Sequence, residues 1–576
     1  MRLKRTEAQS SARQFRVRSY FVAGALLLGA LAIGARAVDM QLLRRDFYVN
    51  QGDTRFLRNA QIPAHRGAIL DRSGETIAAS TPVDTVWVNP SELAAAAEQM
   101  PLLAKELQRD EDWLTRRVTS NLQSRFVVVA KQMQPDEAAR VKALHIPGVY
   151  LQREYRRFYP AGEVTGHLLG FTGSDDEGQE GLELAYEPML QGENGLKKVV
   201  QDRHGSVVES IDSIRPARPG EDLVSSIDLR IQYLAYRELK SAVHEFGAKG
   251  GSVVVIDVRT GEILAMVNQP SFNPNDRAQF EPARYRNRAA TDNIEPGSSV
   301  KPFFVIAGLV SGKYTADSVI DTNPGYIRVG NNVIEDEHNW GAMNLAAILA
   351  KSSNVGMAHI ALSLDKSTIW NTLTGLGFGQ VSATGFPGES AGVLTQYAHW
   401  HDIQVATMAH GYGLSVTPLQ LAQAYATVGA LGVRRPLTLR RVDGPPPAGE
   451  RVLDAQICRD AIHLIESVVI EGTGKKAHIP GYRVAGKTGT AWKAAGGSYS
   501  TNKYTAVFGG IVPATAPRFA AIVVIDEPSN GKYYGADVAA PVFSAVLSGA
   551  LRLTGVPPDD LNHVPSATFV QAEVPR

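Results

Sequence analysis

Three short groups of residues follow one another along the chain: Ser298-Ser299-Val300-Lys301, Ser352-Ser353-Asn354 and Lys487-Thr488-Gly489-Thr490. Together they supply a hydroxyl nucleophile, two amines and several hydrogen-bonding side chains, which is what acyl transfer through a serine ester needs. Residues i and i+3 share a helix face one turn apart, so Lys301 is expected to reach the Ser298 hydroxyl. A helix N-terminus there would also set backbone N–H groups beside the carbonyl under attack. Serine attacks poorly until it loses its proton. Lysine accepts that proton only if its pKa falls, and desolvation together with a second cation, Lys487, would lower it. Ser352 is placed to relay the proton. On a strand Thr488 and Thr490 face one way and Gly489 the other, so two hydroxyls beside Lys487 make a site for a carboxylate.

Each group alone is weak, because S-x-x-K recurs at Ser363 to Lys366, Ser500 to Lys503 and Ser529 to Lys532, and S-x-N at Ser271 to Asn273 and Ser500 to Asn502. Context separates them. Only Ser298 follows a turn signal, Glu295-Pro296-Gly297, and opens an apolar run, Phe303 to Val310, that reads as a buried helix. Pro302 suits the first turn of that helix, where its missing amide has no intrahelical partner anyway. Around Lys487, Tyr504 to Val512 and Arg518 to Asp526 are rich in Val, Ile, Phe and Ala and read as neighbouring antiparallel strands. A rival motif overlaps: Gly481 to Thr488 fits the phosphate-loop pattern G-x-x-x-x-G-K-[ST] of nucleotide hydrolases. That loop needs a helix starting at the Lys-Thr, whereas Gly489 and the Gly/Ser-rich stretch Ala494 to Asn502 follow here.

The elements that must position these groups belong to a chain of 576 residues, long enough for two or more domains. Lys+Arg 59 against Asp+Glu 58 gives a net charge of +1, so no basic surface calls for a nucleic acid. The single Cys458 has no partner for a disulfide or a metal site and reads as a small buried apolar residue. The N-terminus is more informative. Arg2, Lys4, Arg5, Arg13, Arg16 and Arg18, opposed by Glu7 alone, precede an uncharged run from Ser19 to Ala35. This is the pattern of a membrane anchor with its basic end in the cytoplasm. A cleaved signal peptide is the alternative, since Ala35-Arg36-Ala37 is an A-x-A site, but the apolar core is at the long end for one.

Five stretches follow: a basic cytoplasmic tail over 1–18, an anchor over 19–40, an α+β module over 41–221, a second α+β domain over 222–556, and a Pro-rich polar tail over 557–576. The linker signal is Ile214 to Gly220. Gly251 to Asp257 and Glu262 to Val267, flanking Arg259-Thr260-Gly261, suggest a hairpin, and the later helices and strands suggest an antiparallel sheet with helices packed on it. Pro101 to Arg117 reads as a charged helix. His167, His338 and His410 fall in no metal spacing and read as structural or surface residues.

With these residues in view, the chain resembles the class B penicillin-binding proteins, and within them the division-specific, septal D,D-transpeptidases. The likeness extends beyond the triple to His65 to Gly74, Arg157-Phe158-Tyr159-Pro160, His167-Leu168-Leu169-Gly170, Glu180 to Glu183 and Gly472-Thr473-Gly474. These pieces are expected to be fold elements without chemistry, Asp71 to Gly74 a tight turn and Arg66 an ion-pair partner. The resemblance implies an inner-membrane enzyme with one transmembrane helix, an elongated pedestal and a periplasmic transpeptidase domain. It implies that Ser298 attacks D-Ala-D-Ala of a peptidoglycan stem peptide and that Lys301 is the base. Ser352 and Asn354 would position the proton path and substrate amide, while Lys487, Thr488 and Thr490, with Gly489 between them, hold the terminal carboxylate. β-Lactams would inhibit it covalently. It implies no metal or organic cofactor and, with no glycosyltransferase domain in the chain, a polymerising partner such as the division glycosyltransferase FtsW. An elongation-type or specialised paralogue and a divisome scaffold are the other readings within this resemblance. Glu335 to Asn339 matches the E-x-x-x-N element of class A β-lactamases but precedes Ser352 instead of following the S-x-N, which weighs against a hydrolase.

Overall fold

The computed structural model describes residues 3–47, 57–173, 175–201, 207–276, 281–495 and 498–560. Of the expected C-terminal tail, residues 561–576 lie outside the described residues. The chain forms two compact units. One comprises Met1–Ala64, Asp84–Glu154 and Glu193–Arg218; the other comprises His65–Val83, Tyr155–Gly192 and Pro219–Arg576.

The first unit begins with helix α1 (Leu3–Val38). The apolar helical stretch Phe15–Leu43, which continues past the end of α1 through a π-helical turn at Asp39–Leu43, covers 29 residues, none of them buried. About 20 residues at 1.5 Å each suffice to cross a bilayer core. Leu57–Ile62, Gly195–Gln201 and Val207–Arg215 make a three-stranded antiparallel sheet. Asp84–Val88 pairs with Val127–Met133, and around this pair Val86, Val88, Leu103, Leu114, Val118 and Val141 form a small apolar core. The charged helix expected over Pro101 to Arg117 is two helices, Met100–Glu106 and Glu111–Thr119. The break follows from Gln108, which turns left-handed at φ 51, and from Asp110, whose carboxylate accepts the Trp113 amide at 2.9 Å and starts the second helix.

The second unit is built on a five-stranded antiparallel sheet of β1 (Gly250–Asp257), β2 (Ile263–Gln269), β3 (Ala485–Ala495), β4 (Ser498–Val512) and β5 (Phe519–Asp526), in the order β2-β1-β5-β4-β3. The expected hairpin and the expected neighbouring strands are there. The helices, however, cover both faces. Val253, Val255, Val523 and Ile525 point to a layer with Ile231 and Leu239 of α2 (Leu229–Glu245) and Phe543 and Leu547 of α7 (Ala540–Leu553). Val254, Ile256, Ile522 and Val524 point the other way, to Phe303, Phe304 and Ile306 of α3 (Lys301–Val310) and Leu421 and Tyr425 of α6 (Pro418–Gly429). Strands buried on both sides read as unbroken apolar runs, which is why Gly250–Asp257 and Phe519–Asp526 lack a polar alternation. Helix α3 is buried from Lys301 to Leu309, as an all-apolar helix must be.

Three of the shared non-catalytic motifs build a buried ion-pair cluster in the same unit. Arg66 donates to Glu183 at 2.8 Å and pairs with Glu187 at 2.7 Å, and Arg157 donates to the other Glu183 oxygen at 2.6 Å. Asp71 accepts the amides of Ser73 and Glu75 at 2.7 and 2.9 Å and makes the turn.

Candidate active site

Ser298 lies in a single 3₁₀ turn, Gly297–Val300, that runs into α3. At three residues per turn, positions i and i+3 eclipse, so Ser298 and Lys301 stay on one side. Gly297 takes φ 53, a left-handed conformation that favours glycine, and it packs on the backbone of Thr490. The turn is anchored from below: Ser299 donates to the Pro296 carbonyl at 2.6 Å, and buried Tyr425 donates to the Ser299 carbonyl at 2.8 Å.

Helix α4 (Leu345–Lys351) stops at Ser352, which adopts φ 59 and ψ 37, and α5 (Asn354–Ser363) starts two residues later, after Ser353. Asp336 holds this junction. Its carboxylate accepts the Ser353 hydroxyl at 2.5 Å and the amides of Asn354 and Val355 at 2.5 and 3.1 Å, where the positive end of the α5 dipole favours an anion. Strand β3 is the edge of the sheet and brings Lys487, Thr488, Gly489 and Thr490 alongside the Ser298 turn. A Cβ on Gly489 would lie 2.6 Å from the Pro296 carbonyl oxygen and 3.1 Å from the Ser299 amide nitrogen. Only glycine lets the strand come this close. Thr488 and Thr490 face the opposite way, into a cleft of about 490 Å³ that Ser298, Ser352 and Asn354 also line.

The side chains meet as follows. Lys301 Nζ donates to the Ser352 carbonyl at 2.5 Å, to Asn354 Oδ1 at 2.8 Å and to Ser352 Oγ at 3.2 Å. Lys487 Nζ donates to Ser352 Oγ at 3.0 Å and to Thr488 O at 3.1 Å. One hydroxyl, Ser352, therefore bridges both lysines. The ammonium of Lys301 is directed to Ser352 and Asn354 rather than to Ser298 Oγ, a correction to the simplest reading of the i, i+3 spacing. Burial lowers the Lys301 pKa to about 7, against the opposing pull of Asp336. The expectation that Lys487 would depress Lys301 is reversed in emphasis. Burial first and the nearby Lys301 second push Lys487 well below the ordinary lysine value. Two buried amines this close do not both stay protonated at neutral pH; a carboxylate arriving at Thr488 and Thr490 would restore charge to Lys487.

Residues outside the three groups also belong here. Thr473, expected to be a fold element only, shares a hydrogen bond with Thr488, hydroxyl to hydroxyl, at 2.7 Å and lines the cleft. Asp336 and Tyr534 line it too. Nothing in the local pattern marks Asp336, because its partners are 17 and 18 residues away; the only signal was its position inside the acidic Glu335 to Glu337. His410 is half-buried near Lys301, and desolvation holds it at about 4, while His167 is buried with a ring nitrogen 2.7 Å from the Arg284 carbonyl; His338 is exposed. Lys487 sits inside a strand rather than at a helix N-terminus, so the phosphate-loop reading fails on geometry.

A serine in a turn that opens a helix, a buried lysine whose pKa is lowered to about 7, a hydroxyl that bridges two lysines and a strand with two threonines facing the cleft thus meet in one place. Residues 251–548 match the penicillin binding protein transpeptidase domain, and residues 61–225 match the penicillin-binding protein dimerisation domain. Over 537 residues the chain is 43% identical to peptidoglycan D,D-transpeptidase FtsI of Escherichia coli K12, covering 92% of this chain and 91% of that one. The chain belongs to the class B penicillin-binding proteins. Among other relatives in this family is the probable peptidoglycan D,D-transpeptidase PbpC of Pseudomonas aeruginosa, 40% identical over 92% of this chain and 94% of that one. Penicillin-binding protein 3 of Mycobacterium tuberculosis complexed with aztreonam shares the class B fold at a TM-score of 0.68, with 26% identity over 87% of this chain and 98% of that one. The site is that of a penicillin-binding serine transpeptidase.

Proposed function

We propose that this chain cross-links peptidoglycan at the division septum. Ser298 Oγ attacks the carbonyl of the penultimate D-Ala in a stem peptide while neutral Lys301 takes its proton, with the amides of Ser298 and Thr490 facing the developing oxyanion. Lys487, Thr488 and Thr490 hold the terminal carboxylate, and Asn354 steers the donor amide. The C–N bond then breaks. The departing D-Ala amine takes a proton passed through Ser352, leaving the acyl group as an ester on Ser298. An amine of a second stem attacks that ester, a new C–N bond forms, and the C–O bond breaks as the proton returns to Ser298. The observation that carries this reading is Ser352 Oγ within 3.2 Å of Lys301 and 3.0 Å of Lys487, a path joining the base to the carboxylate site.

In this reading residues 19–40 are an uncleaved anchor in the inner membrane, 41–221 a pedestal, and 222–556 the periplasmic catalytic domain. The partners are divisome membrane proteins, with FtsW supplying glycan strands. Septal rather than elongation use is supported by the 43% identity to FtsI. Depletion should then produce filaments; round cells would refute the septal assignment.

The catalytic reading is tested with full-length protein in detergent. Benzylpenicillin should give a stable one-to-one mass adduct on the peptide carrying Ser298, absent in Ser298→Ala. Asp336, the carboxylate at this junction, accepts from Ser353, Asn354 and Val355 and so is engaged in holding the start of α5. Rapid catalytic loss of penicillin without a lasting adduct would favour a hydrolase instead.

A further inference from the structure

The carboxylate site fixes a direction along β3. With the scissile carbonyl at Ser298 and Thr490, the departing residue lies toward Thr488, and the retained acyl chain lies toward Trp492. The cleft continues on the departing side. Thr488 meets Thr473, whose amide donates to the Ala350 carbonyl at 3.2 Å, and the next residue, Lys351, reaches the rim of the same cleft. There the Lys351 ammonium lies 5.1 Å from the Trp340 ring centroid, and the His338 ring meets that indole edge-on at 5.2 Å. Glu337 faces the same space. Among the described residues neither Lys351 nor Glu337 forms a salt bridge. About 490 Å³ is the size of a pocket for a drug-sized ligand, more than one departing alanine needs.

An incoming amine must occupy the place that the departing amine has just left, because both add to the same carbonyl through the same tetrahedral geometry. Its body must then extend to the departing side. We infer that the cleft end formed by Trp340, Lys351 and Glu337 is the acceptor subsite, taking a second stem peptide with a free amine and carboxylates. This inference rests on the transpeptidase reading above. Lys351 pairs with an acceptor carboxylate, Trp340 supplies a flat apolar face, and Glu337 draws the ammonium before it loses its proton. In the step itself the acceptor nitrogen bonds to the acyl carbon, the ester C–O bond to Ser298 breaks, and one amine proton ends on Ser298 Oγ by way of Lys301. Lys351 and Trp340 are positioning residues, since neither touches the reacting atoms.

The test separates the two half-reactions in the full-length protein. A depsipeptide ending in D-Ala-D-lactate serves as acyl donor, and the acyl-enzyme is offered either hydroxylamine or a stem tripeptide with a free side-chain amine. In Lys351→Ala and Trp340→Ala, benzylpenicillin acylation and transfer to hydroxylamine should stay within about twofold of wild type, while transfer to the tripeptide falls about tenfold or more, through acceptor KM. Lys351→Arg should recover most of that loss. Equal losses with both acceptors, lost acylation in the variants, or unchanged transfer to the tripeptide would each overturn the subsite. Failure of the wild-type protein to form any acyl-enzyme would instead overturn the transpeptidase reading on which it rests.

Discussion

The sharpest quantitative consequence concerns Lys301 and pH. An ordinary lysine titrates at 10.5, and burial brings this one to about 7. A difference of roughly 3.5 units is about 5 kcal/mol in favour of the neutral amine. At pH 7.5 an ordinary lysine would be neutral in about one molecule in a thousand, whereas Lys301 is neutral in about three of four, a gain of about 750-fold in usable base. The second-order rate of acylation by benzylpenicillin should therefore rise with pH and level off above about 8, with a midpoint near 7. It should stand at about one eleventh of the plateau at pH 6 and about one hundredth at pH 5. The penicillin carboxylate ionises far below this window. His410, the half-buried neighbour of Lys301, is held at about 4, below this limb. Fluorescent-penicillin labelling followed in time from pH 5 to pH 9 measures the curve. A rate that keeps climbing tenfold per unit to pH 10, or one that is flat throughout, would refute the argument. Asp336 pulls the Lys301 pKa upward, so in Asp336→Asn whatever activity survives should have its midpoint at lower pH. The stability sign is also fixed. The folded pKa lies below the unfolded one, so the unfolded chain binds more protons between about pH 7 and 10.5; this group's contribution to stability rises with pH across that window and is least favourable below it.

Further outcomes are expected. Gly489→Ala should abolish penicillin labelling by forcing β3 away from the Pro296 carbonyl, 2.6 Å from the added Cβ; full labelling would show that the strand can retreat without cost. Arg66→Ala leaves Glu183 buried with Arg157 as its remaining cation and should cost about 3–5 kcal/mol, read as a lowered thermal midpoint, whereas replacement of surface-exposed Arg237 should cost little. Cys458, fully buried with its thiol pushed up to about 12, should resist thiol reagents in the folded protein and react once denaturant is added.

What was legible in the sequence is what depends on short range and periodicity. The order of the three groups, the opposed faces of Gly489 and Thr488, the hairpin of β1 and β2 and the buried character of α3 all follow from local pattern. The direction of the Lys301 ammonium does not, because its partners Ser352 and Asn354 are more than fifty residues away in sequence. Asp336 and Thr473 escaped for the same reason: their places in the site come from packing, through contacts with Asn354 and Thr488. The two-faced burial of the sheet could have been inferred from the unbroken apolar strands, but which helix covers which face is set only by the tertiary fold.

Ser352 ends α4 in a left-handed conformation that glycine would adopt freely and that costs a side-chain-bearing residue roughly 1 kcal/mol. A glycine here would suit the helix end better and erase the one hydroxyl that joins the two lysines. On the proposed mechanism, the position sets what the backbone prefers against what proton transfer requires, and the residue found there is the one that serves the chemistry. Selection for a more heat-resistant form of this domain, if blind to activity, would be drawn to this residue and would arrive at a sturdier protein without the hydroxyl that links its two lysines.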